Sequence, residues 1–177
     1  MKRILQRVTR GVREVSAGKV PAGFGERSVD FSGMGRKHGN VMKGFREVVI
    51  VGACRTPYGR VGGALREYSA VELGAMAIQE VLRRTGGKVE PGDVDYCFMG
   101  QVITAGCGQV PSRQATILAG IPEHVPSITV NKVCSSGVKT IDLAVQMIQL
   151  GRAEICIAGG QESMSNAPYL LPEMRWG

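Results

Sequence analysis

The chain reads as an α/β domain, a mostly parallel sheet with helices on both faces, and three observations predict it. Short β-branched runs alternate with apolar-periodic segments of helical length, glycines stand where helices should stop, and one helical segment is apolar on every side. Residues 48–53, Val-Val-Ile-Val-Gly-Ala, read as the first strand, because branched side chains fit a pleated surface. A helix over residues 71–84 follows, with Val71, Leu73, Ala77, Ile78, Val81 and Leu82 on one side. Residues 94–99 read as the second strand. Residues 112–119 read as a short helix capped by Ser112 and ended by Gly120. A third strand over 128–133, a helix over 135–150 closed by Gly151, and a fourth strand over 155–158 complete the series. In the helix over 135–150, Val138, Ile141, Leu143, Ala144, Val145, Met147, Ile148 and Leu150 run right round the circumference, the pattern of a buried helix.

The 177 residues suit one domain. Hydrophobic residues make up 44% and charged residues 21%, and no apolar run approaches the roughly 18 residues that span a bilayer. A net charge of +7 invites a nucleic-acid reading, which the distribution of the charge does not support. Residues 1–41 carry nine Lys and Arg against three Asp and Glu, a net +6, while residues 42–177 carry thirteen against twelve, a net +1. In this leader Ile4, Leu5, Val8, Val12 and Val15 fall at helical spacing among Arg and Lys, after which residues 16–44 turn Gly-rich without period. Three readings stand: a transit peptide for an organelle matrix, a segment for anionic membrane or nucleic acid, or sequence upstream of a domain that begins at Met42. The third is favoured, because Met42 stands just before the first strand and the leader has no pattern from which to build a core. The expected organisation is thus a basic, Gly-rich leader over 1–41, disordered or not part of the native domain, and one domain over 42–177. No uninterrupted apolar stretch marks a secretory signal.

Five cysteines, Cys54, Cys97, Cys107, Cys134 and Cys156, show no metal-like CxxC spacing, so no metal site is implied, and an odd number cannot all pair. A reducing, cytoplasmic compartment fits them. Cys54, Cys97 and Cys156 lie in apolar runs as small core residues, and Cys107 is a loop thiol. Cys134 differs. In Asn131-Lys-Val-Cys134-Ser-Ser-Gly137 it sits where a β-branched run turns into the long apolar helix. There the free N–H groups of a first turn and the positive end of the helix dipole favour a thiolate, and small neighbours let a thioester approach. The backbone at Cys134 and Ser135 is also placed to receive an oxyanion. A structural cysteine at a helix start is the plainer alternative. A second segment, Gly159-Gly-Gln-Glu-Ser-Met-Ser165, follows the last strand and brings polar groups to the same sheet edge, although a Gly-Gly turn alone is ordinary turn chemistry.

Together these segments resemble the N-terminal half of a thiolase, the family that condenses or cleaves acyl groups on coenzyme A. The resemblance runs in unbroken order from residue 46 to about 177. It is carried by Val48-Val-Ile-Val-Gly-Ala-Cys-Arg55-Thr-Pro57, by Gly100-Gln-Val102, by Gly108-Gln-Val-Pro-Ser-Arg113-Gln114, by the Cys134 motif, and by Gly159-Gly-x-Glu162-x-Met164-Ser165. It implies a thiolase-like N-terminal domain in which the nucleophile-bearing helix is buried between sheets. It further implies an acetyl-CoA C-acetyltransferase-type enzyme of fatty acid metabolism, which carries an acyl-cysteine intermediate on Cys134 and takes coenzyme A thioesters as substrates rather than cofactors. Gly160, Glu162, Met164 and Ser165 would line the pocket, Gln109 and Arg113 would lie in a loop at the subunit interface, and the complete protein would be a homodimer or homotetramer.

The resemblance also exposes a deficit. A complete member is much longer, and its second half brings a Gly-His-Pro histidine, an oxyanion-hole Asn and a second cysteine in Cys-x-Gly, none of which occurs in this chain. Its two histidines, His38 in the leader and His124 in Pro122-Glu-His-Val-Pro126, stand in no such motif. The expectation is a chain with the nucleophile and without the base, inactive alone. Two rivals remain: a ketoacyl synthase-like condensing enzyme, and a non-catalytic half-domain that needs a complementing C-terminal chain.

Overall fold

A computed structural model describes residues 45–176; the basic leader of 1–41 lies outside the described residues. Three strands form one parallel sheet: β1, Tyr96–Gly100; β2, Ser127–Val130; and β3, Cys156–Gly160. The order is β2-β1-β3, so β1 is central. In register, Cys97 lies opposite Ser127 and Ile157, and Gly100 lies opposite Val130 and Gly160. All three strands therefore end together on one side of the sheet.

Helix α1, Ala70–Arg84, starts where the sequence supplies a complete cap: Ser69 Oγ accepts from the Glu72 N–H and the Glu72 carboxylate accepts from the Ser69 N–H. The Ser69 N–H and then the Ser69 hydroxyl, both donating to that carboxylate, hold the Glu72 carboxyl below the usual carboxylate range. At the far end Arg83 and Arg84 both donate to Glu80, which brings its carboxyl down to about 2. Helix α2, Pro111–Leu118, joins α1 on one face of the sheet, where Ala75, Ile78, Ala115 and Ala119 close over Cys97 and Met99, with Val94, Ile121 and Val125 filling the ends of the core. Helix α3, Ser136–Gln149, lies across the opposite face. Helices on both faces of a parallel sheet are what the alternating pattern predicts.

Two expectations need correction. The strand expected over residues 48–53 does not form: β3 keeps a free outer edge, but the run lies across a cleft from it and makes no ladder bonds among the described residues, and Ile50 is 76% exposed. It leans on α1 by side-chain bonds instead. Arg84 donates to the Ala53 carbonyl at 3.0 Å, and the Cys54 thiol to the Ala77 carbonyl at 3.1 Å. Ser112 does not cap α2. The helix begins one residue earlier at Pro111, whose missing N–H costs nothing at a helix start, and Val110 takes the cap position in a left-handed conformation, φ 42°. The Ser112 side chain is buried inside the first turn without a hydrogen-bond partner among the described residues.

Helix α3 is covered along one stripe only. Ser136, Thr140 and Ala144 are buried against the sheet, whereas Val138, 70% exposed, Ile141 and Leu150 face outward among the described residues. Beside it, a cleft of about 770 Å³ opens between α1, α3, β3 and the 48–53 run, walled by Ile50, Val81, Ile141, Val145 and Ile148.

Candidate active site

The site begins with a close contact between backbones. A Cβ on Gly100, the last residue of β1, would stand 2.6 Å from the Ser136 carbonyl carbon and 2.7 Å from the Gly137 nitrogen. Only a glycine lets the first turn of α3 sit so low on the sheet. Gly160 continues the floor, its Cβ position 3.7 Å from Gly137 Cα. Thr140, wholly buried, then locks the helix down by donating to the Gly137 and Gly159 carbonyls at 2.6 and 3.0 Å.

Between β2 and α3 the chain makes a tight turn that is over-determined by hydrogen bonds. Val133 adopts φ 50°, a left-handed conformation that costs a β-branched residue on the order of 1–3 kcal/mol. Asn131 Oδ1 accepts from the Val133 N–H at 3.1 Å, and Ser136 Oγ accepts from the Lys132 N–H at 2.8 Å while donating to the Val133 carbonyl at 2.6 Å. Ser135 Oγ donates to the Lys132 carbonyl at 2.9 Å. Within this turn Cys134 is exposed, immediately before the helix. Among the five free thiols this is the one fully offered to solvent.

The others are placed differently. Cys97 is wholly buried, and burial raises its thiol, as it does that of Cys54. Burial, then the Asp95 carboxylate, push Cys156 up to about 11. Cys107, half-buried, accepts from Gln101 Nε2 at 3.3 Å.

The loops after β1 and β3 are tied together above the sheet. The Glu162 carboxylate accepts from the N–H groups of Val102 at 2.8 Å and Ile103 at 3.2 Å. Behind it Gln161 donates to Gln101 at 2.9 Å in a buried amide pair. Ser165 Oγ accepts from the Gly62 N–H at 2.9 Å, and Asn166 Nδ2 donates to the Arg66 and Tyr68 carbonyls at 3.0 and 2.9 Å, so this segment also pins the loop before α1. Of the residues read as pocket-lining, Gly160 and Glu162 border the 770 Å³ cleft, while Met164 and Ser165 do not, and neither does Cys134. Arg113 donates to the Val125 carbonyl at 2.6 Å and to that of Glu123, bracing the loop that carries the exposed His124. The Gln109 carbonyl accepts from Gln114 at 2.9 Å. Of the residues that hold the turn, Asn131 and Ser136 lie within the Cys134 motif, Ser136 read only as a small neighbour, and nothing in the sequence marks Thr140. For Asn131 a signal existed, since an Asn bonding the N–H two residues on is a recurrent turn. Among the described residues no cluster of three or more His, Cys, Asp or Glu could hold a metal, and no helix is long and apolar enough to cross a membrane.

Fold and site define an α/β domain that presents a free thiol at the carboxyl end of a parallel sheet, at the start of a helix. The chain belongs to the thiolase family: residues 48–177 match the family model "Thiolase, N-terminal domain". It is similar to the acetyl-CoA acetyltransferase of Cupriavidus necator, 53% identical over 131 residues, 74% of this chain and 33% of that protein. The acetyl-CoA acetyltransferase of Syntrophomonas wolfei is 48% identical over 132 residues, 75% of this chain and 33% of that protein. The crystal structure of the Bacillus anthracis acetyl-CoA acetyltransferase superposes with a TM-score of 0.72 at 41% identity, over 76% of this chain and 34% of that one. The chain thus spans about a third of the length of the relatives it matches.

Proposed function

We propose that this chain supplies the acyl-accepting part of an acyl-CoA acyltransferase of the thiolase, acetyl-CoA C-acetyltransferase, type. The observation that carries this is Cys134, an exposed thiol held by a strained, heavily bonded turn at a helix start. The Cys134 thiolate attacks the thioester carbonyl, the resulting oxyanion collapses with expulsion of the coenzyme A thiolate, and an acyl-cysteine remains. The Cys134 N–H serves the oxyanion, while the Ser135 N–H is taken by the Lys132 carbonyl at 3.2 Å. The acyl group then passes to the carbanion of a second acetyl-CoA, or back to coenzyme A in the thiolytic direction. Acyl-coenzyme A thioesters are the substrates, no metal or other cofactor is needed, and the complete enzyme is a cytoplasmic homo-oligomer acting in fatty acid metabolism. The names and roughly half-identical sequences of the relatives support this reading.

The test is to incubate the polypeptide 1–177 with acetoacetyl-CoA and locate acetyl groups by peptide mass spectrometry. One acetyl group on Cys134, lost in Cys134→Ala, is expected; labelling elsewhere, or none, sinks the reading. Steady turnover should be absent, since no Gly-His-Pro base or Cys-x-Gly cysteine is among these residues and each general acid–base contribution is worth about 10² to 10⁴. The open apolar stripe of Val138, Ile141 and Leu150 favours a second reading, a half-domain that works only with a complementing chain packed there. Self-association of 1–177 in sedimentation runs would support it.

A further inference from the structure

The Val102–Ile103 peptide is gripped from two sides by distant parts of the chain, and through one of them it is linked to the thiol-bearing turn. On one side the Glu162 carboxylate accepts from both N–H groups, at 2.8 and 3.2 Å. On the other, Asn131 Nδ2 donates to the Val102 carbonyl at 3.2 Å, and the Oδ1 of the same carboxamide accepts from the Val133 N–H at 3.1 Å. Both ends of the Asn131 amide are therefore used, so its orientation is set by Val102, and Val102 is set by Glu162. Val133 is the strained member of the turn, φ 50° and 65% exposed, so hydrogen bonds, between its N–H and Asn131 and between Ser136 and its carbonyl, hold it more than packing does. A branched residue leaves that conformation when the bonds that impose it are lost.

We propose that Asn131 and Glu162 are positioning residues, which hold Val133 left-handed and so aim the Cys134 sulfur along the α3 axis. This rests on the reading of Cys134 as acyl acceptor. Glu162 suits the task because a carboxylate accepting two N–H bonds makes stronger contacts than an amide. The Glu162 oxygens are both taken by backbone, which leaves it a brace rather than a group that touches substrate.

The test follows iodoacetamide alkylation of the whole 177-residue chain at neutral pH, with N-acetylcysteine in the same tube as a rate standard and peptide mass spectrometry as readout. Buried Cys97 serves as an internal sentinel for unfolding. In the unaltered chain Cys134 should outpace the standard. Asn131→Asp, which replaces the donor to Val102 by an acceptor, and Glu162→Ala should each slow Cys134 roughly threefold, the factor a helix-end dipole contributes, with Cys97 still protected. Glu162→Gln keeps one acceptor oxygen and should fall between. Unchanged Cys134 rates in these variants with Cys97 protected overturn the proposal alone. A Cys134 no faster than the standard in the unaltered chain overturns the acyl-acceptor reading and the proposal with it. Where one variant exposes Cys97, the remaining ones decide; if all three expose it, the pair holds the fold rather than the turn and the proposal falls.

Discussion

The carboxyl end of the sheet and the run over residues 48–53 use similar residues to opposite effect. Both are made of glycines and branched apolar side chains. At the sheet end, Gly100, Val130 and Gly160 stand in register, a helix presses onto them, and side-chain bonds from Asn131, Ser136, Thr140 and Glu162 close every nearby strand and turn. In the 48–53 run the apolar side chains face solvent or the cleft, and among the described residues Arg84 alone bonds its backbone. A β-branched run is only an offer of a strand. It becomes one only when its backbone pairs with an edge, and here the run stands across the cleft from the outer edge of β3 without pairing to it.

Substitution at Gly100 should have the largest effect. Gly100→Ala drives a Cβ into the Ser136 and Gly137 backbone and should destabilise the chain by about 3 kcal/mol, seen as an earlier urea midpoint; a neutral result would mean that the helix does not sit where we place it. Glu162→Ala unties the Val102 and Ile103 N–H groups and should cost about 1–2 kcal/mol by the same measurement, while a change below experimental scatter would show that water replaces the carboxylate without loss. Val133→Gly relieves a left-handed branched residue and should raise stability by about 1 kcal/mol; a lower midpoint would indicate that the conformation is not strained. At the other pole, Ile50→Thr should change stability by no more than about 0.5 kcal/mol, because an exposed, unpaired position has little to lose. Smallest of all, a shortened chain beginning at Met42 should melt with the full chain to within about 1 °C, and a clearly lower melting temperature would show that residues 1–41 belong to the domain.

Thiol chemistry sharpens the same contrast. Cys134 should alkylate first, Cys97 only on unfolding, and Cys156, pushed up to about 11 by burial, only in strongly alkaline solution. Preferential labelling of Cys107 would contradict the assignment of Cys134.

Much of the fold was legible. The helix over 71–84 was placed to within a residue; of its periodic side Val71, Ile78 and Leu82 meet the core, while Leu73, Ala77 and Val81 face the cleft. Gly120 and Gly151, φ 89° and 70°, end their helices as expected. Strand ends were harder, because Ser127, Gly100 and Gly160 join strands through ladder partners that a local pattern does not contain. Ser112 misled as a cap because Val110 and Pro111 set the helix start by backbone geometry instead. Of the site, the helix-start position of Cys134 could be read from the residues around it. The grip of Glu162 on Val102 could not, since the partners stand 60 residues apart and the bonds go to backbone atoms that every residue owns.

That separation governs how the molecule assembles. Strand β3 and the Glu162 bonds reach β1 only after the chain has closed a loop of 60 residues, a slower event than the local turns and helices that precede it. The strained turn at Val133 is thus completed by contacts far less local than its own bonds. During refolding, fast thiol reactivity at Cys134 should therefore appear after helical signal has returned, as a clock for the final closure of the sheet.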